Sequence, residues 1–158
     1  MKTASSQEIK EELKALKPGQ LVEICLRLAR FKKENKELLT YLLFESHNEE
    51  AYITSVKEMI DEGFTELPKP NLYLSKKTLR KILRQVSRCI KYAGSPLVEA
   101  SLLLHFCRCM QEKGIPYSSS TVLNNLYHSQ LKKIHAALDK LHEDIQYDLR
   151  RELDALEE

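Results

Sequence analysis

Residues 97–110 read Leu-Val-Glu-Ala-Ser-Leu-Leu-Leu-His-Phe-Cys-Arg-Cys-Met, and this stretch limits the fold more than any other. At about 100° per residue, Val98, Ala100, Leu102, Leu103, Leu104, Phe106, Cys107 and Met110 cover roughly two thirds of a helix circumference. Ser101, His105 and Arg108 gather in a narrow polar sector. A helix apolar on most sides must be enclosed by other helices. The expectation is therefore an all-α fold of six to eight helices in antiparallel hairpins, with this stretch at its centre. Such hairpins form a bundle or a short armadillo- or HEAT-like stack.

The chain of 158 residues fits one helical domain, 1–158, with sub-units 1–66 and 71–158 on either side of Pro68-Lys69-Pro70. Only four glycines occur, which argues against a meander of short strands and against phosphate-cradling loops. No apolar run approaches the roughly 18 residues of a membrane span. The N-terminal residues show no apolar signal segment, so export is not expected. Cys25, Cys89, Cys107 and Cys109 sit in apolar helical surroundings and are expected as free thiols in a reducing cytoplasm.

Punctuation along the chain marks the elements. Ser5 with Glu8 has capping-box spacing, and Pro18 suits the first turn of a second helix. Lys32 to Lys36 is a charged interruption. The run Leu38, Leu39, Tyr41, Leu42, Leu43, Phe44 is dense enough to predict a largely buried third helix. Asn48 caps a fourth helix, with Gly63 as its stop, and Ser75 caps a fifth. Gly94-Ser95-Pro96 predicts two helices joined by a very short turn. Residues 121–158 contain no Gly or Pro, which predicts a long C-terminal helix that either bends or projects. Leu21, Ile24, Leu28 and Arg30 match Leu79, Ile82, Val86 and Arg88 at a constant offset, a faint helical repeat.

Net charge is +2, but residues 71–117 hold nine Lys/Arg against two Asp/Glu. Most of that excess lies on one helix face: Lys77, Arg80, Lys81, Arg84, Arg88 and Lys91. Such a stripe can follow phosphates, or it can be a solvated face. A second surface is the apolar stripe Tyr127, Leu131, Ile134, Leu138, Leu141 and Ile145, suited to self-association if the last helix projects.

Reactive chemistry is sparse. His128, His135 and His142 recur every seven residues, about 10.5 Å apart along a helix, too far for one zinc. His135, Asp139 and His142 alone would need further ligands. Across a dimer seam these imidazoles would be pH-sensitive. Cys107 and Cys109 point apart, and His105 with Cys109 is only a pair. The sector Ser101, His105 and Arg108 offers no carboxylate to orient the imidazole. No catalytic residue, metal site or cofactor is therefore expected.

Residues 13–16, then Pro18-Gly19-Gln20-Leu21-Val22-Glu23 and residues 38–43, resemble a family of small bacterial all-helical proteins of unknown function. The resemblance covers about the first 65 residues. It implies a helical fold and carries no activity, cofactor or site residue. The expected function is a non-enzymatic cytoplasmic module that binds another protein or itself, with nucleic-acid association through Lys77 to Lys91 as the alternative and no membrane.

Overall fold

The computed structural model describes residues 2–67 and 72–157, with side chains of the second stretch from Ser75 onward. The described residues form eight α-helices and no strand: α1 Ser6–Ala15, α2 Pro18–Phe31, α3 Lys33–Thr40, α4 Glu49–Thr65, α5 Leu72–Ala93, α6 Pro96–Glu112, α7 Thr121–Leu138 and α8 Glu143–Glu157. The chain is all-α, as its pattern requires. Contacts divide it into two compact units, Met1–Phe44 and Glu45–Glu158. The division falls after Phe44 and not at Pro68-Lys69-Pro70, three residues that lie outside the described ones.

The first unit is held by local bonds. Ser5 caps α1: its hydroxyl accepts from the Glu8 N–H at 3.3 Å, and Glu8 accepts from the Ser5 N–H at 2.7 Å. The Ser5 hydroxyl also donates to the Glu8 carboxylate at 2.7 Å, and this bond, with the one from the Ser5 N–H, holds the Glu8 carboxyl below its ordinary pKa. Pro18 opens α2, where its missing N–H costs nothing, and Gln20 accepts from the Lys17 N–H at 3.0 Å. One extended residue, Lys32 (φ −143°, ψ 148°), separates α2 from α3. Asn35 bridges the joint by donating to the Leu28 carbonyl at 2.8 Å. The two helices pack on each other, and α3 runs into a π-helical turn, Tyr41–Glu45.

The leucine-rich run predicted to be buried is not. Tyr41 is buried, but Leu43 is 63% and Phe44 65% exposed. Sequence density shows that a surface needs a cover, and the first unit does not supply one.

The second unit has the core. α6 packs against α4, α5, α7 and α8. Val98, Ala100, Leu102, Leu103, Leu104, Phe106, Cys107 and Met110 are all buried, as a helix apolar on most sides demands. α4 contributes Tyr52, Val56, Ile60 and Phe64, and α5 contributes Leu79, Ile82 and Val86. Phe64 meets Phe106 edge to face, ring centres 5.5 Å apart. Asn48 caps α4 by accepting from the Ala51 N–H at 3.0 Å. α4 does not stop at Gly63: it passes through to Thr65, because Gly63 lies where α5 crosses and a Cβ there would stand 2.8 Å from Ile82 Cγ1. α5 begins at Leu72, so Ser75 lies inside it and is not its cap. Gly94, at φ 61°, ends α5, Ser95 accepts from the Val98 N–H at 3.4 Å, and Pro96 starts α6.

The C-terminal stretch is two helices, broken between Leu138 and Glu143 without Gly or Pro. Side chains make the break. His142 Nδ1 accepts from the Asp144 N–H at 3.4 Å, Gln146 donates to the Leu141 carbonyl at 2.8 Å, and Arg150 reaches back to Asp139 at 3.2 Å. α8 then packs on α6 and α7. Its end is tied by Tyr127, whose hydroxyl donates to the Leu156 carbonyl at 3.0 Å and accepts from Gln111 at 3.0 Å.

Candidate functional sites

Three regions carry side chains not absorbed by the core: a polar cleft between α4 and α6, the cationic face of α5, and the apolar grooves of the first unit.

The cleft has a volume of about 430 Å³ and is lined by Asp61, Phe64, Thr65, His105, Arg108, Cys109, Glu112 and Lys113. Asp61 sits on the outer side of α4, its side chain 56% exposed. His105 and Cys109, one turn apart on α6, are buried. Arg108 Nη2 lies 2.8 Å from His105 Nδ1. A guanidinium only donates, so Nδ1 accepts and Nε2 carries the ring hydrogen. Nε2 donates it to Asp61 Oδ1 at 2.6 Å, and the Cys109 thiol donates to the same oxygen at 3.4 Å.

The expectation that no carboxylate reaches the Ser101, His105 and Arg108 sector is thus corrected. Asp61 arrives from another helix, 44 residues away in sequence. Two signals were legible in the sequence, the polar sector Ser101, His105 and Arg108 and the i, i+4 offset of His105 and Cys109. The thiol is not an activated nucleophile. Burial, first, and then the bond to Asp61 push Cys109 up to about 12, and burial pushes Cys107 up to about 12 as well.

The imidazoles of the last segment do separate local work. His128 donates to the Asn124 carbonyl at 2.9 Å, His135 meets Glu157 at 2.9 Å, and His142 caps α8. Asp139 is engaged by Arg150. His135, Asp139 and His142 therefore do not converge. Among the described residues, the cluster with metal-ligand geometry is Asp61, His105 and Cys109.

The proposed self-association stripe is corrected too. Tyr127, Leu131, Ile134 and Leu138 are buried within the second unit, Leu141 is half-buried and Ile145 lies at the surface. Folding α8 back covers the ridge that a projecting helix would have shown, while His128, His135 and His142 stay exposed.

On α5 five of the six cations of the stripe lie at the surface. Lys77, Arg80, Lys81, Arg84 and Lys91 are exposed, and among the described residues they form no ion pair within 4 Å. Arg88 is half-buried. The acids of α8 are not set against this stripe: Glu152 approaches Arg108 at 3.9 Å and Asp144 meets His142 at 3.5 Å.

In the first unit α1, α2 and α3 contain no buried residue. Phe31 is 76% and Leu28 56% exposed. One groove, about 550 Å³, runs between Leu26, Ala29, Leu39, Leu43 and Phe44 and is rimmed by Arg30, Lys32, Lys33 and Lys36. A second, about 260 Å³, is lined by Cys25, Leu28, Asn35, Leu38 and Leu42.

Comparison with family models, curated proteins and solved structures gives no match. No helix among the described residues is long and apolar enough to cross a membrane.

Proposed function

We propose that the protein is a non-enzymatic helical module that associates with a second copy of itself through its N-terminal unit. The carrying observation is the contrast between the two units. The second fills its own interior, whereas the first leaves Val22, Leu26, Leu28, Phe31, Leu42, Leu43 and Phe44 exposed. Exposed apolar side chains gathered at two grooves that share Ala29 and Leu39 mark an interaction site. A two-helix hairpin acquires a core by packing on another hairpin, as in a four-helix bundle.

Charge supports a second copy as the occupant. α1 carries Glu8, Glu11 and Glu12 against Lys10 and Lys14, while the α2–α3 joint carries Arg27, Arg30, Lys32, Lys33 and Lys36 against Glu34 and Glu37. A two-fold axis sets a surface against its own copy in reverse, so an acidic and a basic patch of the same unit can meet across it. The buried, protonated thiol at Cys109 supports the non-enzymatic part. Four free thiols suit a reducing cytoplasm.

Light scattering tests the reading. The chain is 18.4 kDa. The expected result is the mass of two chains at micromolar concentration, returning to one chain in Leu43→Ser/Phe44→Ser. Both side chains are exposed, so the variant keeps its helical circular dichroism. A wild-type mass of one chain at every concentration overturns it.

A second reading, polyanion binding by α5, is favoured by its five exposed cations, which form no ion pair among the described residues. Affinity for a fluorescent duplex DNA would then fall with salt, and Arg80→Glu/Arg84→Glu would abolish it by removing counterion release. Equal anisotropy for wild type and variant removes this reading.

A further inference from the structure

The geometry points to a transition-metal site at Asp61, His105 and Cys109, zinc by its donor set, pinning α4 to α6 with a fourth position open to the cleft. Its donors, a carboxylate oxygen, an imidazole nitrogen and a sulfur, lie within 4.8 Å of one another. A tetrahedral zinc holds such donors roughly 3–4 Å apart, given bonds of about 2.0–2.3 Å. Small side-chain adjustments therefore suffice.

The hydrogen bonding already outlines the ion. Asp61 Oδ1 takes two hydrogens, one from His105 Nε2 and one from the Cys109 thiol, along two edges of the donor triangle. A divalent cation replaces both. The thiol proton leaves to solvent as the sulfur binds, and the imidazole carries its hydrogen on Nδ1 in place of Nε2. Arg108 must then release Nδ1. It has alternative partners, with Glu112 at 3.8 Å and Glu152 at 3.9 Å. Those two carboxylates also temper the guanidinium charge beside the ion.

The donor set selects the metal class. A thiolate and an imidazole favour zinc over magnesium or calcium, which prefer oxygen throughout. Sequence offset contributes as well: His105 and Cys109 are successive turns of one helix face, held rigidly by the packing of α6. Three protein ligands leave a coordination position for water from the cleft, the pattern of sites that stay open to a ligand. The site lies wholly in the second unit, so it stands or falls separately from self-association.

The probe is cobalt(II) titrated into the reduced, chelator-stripped full chain. The expected result is one equivalent bound, with a thiolate-to-cobalt charge-transfer band that zinc displaces. Cys25→Ser keeps the band and Cys109→Ser loses it. Asp61→Ala, at an exposed position that leaves the fold intact, weakens binding by at least about 100-fold, more than loss of a supporting hydrogen bond costs a metal site. Absence of the band in the wild type overturns the proposal. So does a band that survives with unchanged affinity in Asp61→Ala, which would place the ion on other thiols.

Discussion

Gly63 shows how one residue fixes the distance between two helices. A methyl group there would stand 2.8 Å from Ile82 Cγ1 and 3.0 Å from Cδ1, and Ile82 is itself buried. Gly63→Ala is therefore expected to lower unfolding free energy by about 1–3 kcal/mol, the usual range for overpacking, despite the better helix propensity of alanine. Urea denaturation measures it. The buried thiols give a second residue-scale expectation. Cys107 and Cys109 are raised from 9.0 to about 12, so the fold prefers them protonated. Their stabilising contribution is complete below pH 9, where both states keep the proton. It is lost between about 9 and 12, where the unfolded chain releases its thiol protons first. The urea midpoint should thus fall on going from about pH 8 to about pH 10. Under native conditions the exposed Cys25 should react with a thiol reagent while Cys107 does not. Of the polar cleft, the His105–Arg108 sector and the His105–Cys109 offset could be read from the sequence. Asp61 is 48 residues from Cys109, and a contact at that separation has no local pattern to announce it.

Elements with local causes were legible. The Ser5–Glu8 box, Pro18, Asn48 and the Gly94-Ser95-Pro96 turn each place a cap or an opening residue where the chain itself requires one. The enclosure of α6 was legible as well, because it follows from how little of its circumference is polar. The α7–α8 break was not, since it depends on His142, Gln146 and Arg150 binding backbone and side-chain groups rather than on Gly or Pro. That break decides where the ridge from Tyr127 to Leu138 goes. Two substitutions separate core packing from the polar tie. Leu103→Ala, in the middle of α6, should cost about 2–5 kcal/mol through lost burial and the cavity left behind. Tyr127→Phe should cost about 0.5–1.5 kcal/mol, because Gln111 still donates to the Leu156 carbonyl at 2.9 Å when the hydroxyl is gone. Equal costs in denaturant would mean that α8 is held by its hydrogen bonds rather than by Leu153 and Leu156.

At the scale of the whole molecule, apolar side chains are divided unevenly. The buried apolar residues other than Tyr41 all belong to the second unit. The faint match between residues 21–30 and 79–88 makes the contrast plain. Leu79, Ile82 and Val86 are buried, whereas Ile24 and Leu28 are exposed, so similar patterns have met different surroundings. Sequence pattern reports that a face is apolar but not which surface covers it. The second unit should accordingly fold without the first, and the first should need a partner. Sedimentation velocity on the full chain beside a fragment of residues 45–158 tests this most directly. The account predicts a dimeric full chain and a monomeric fragment that still unfolds cooperatively. A monomeric full chain, or a fragment that dimerises as strongly as the whole, would contradict it.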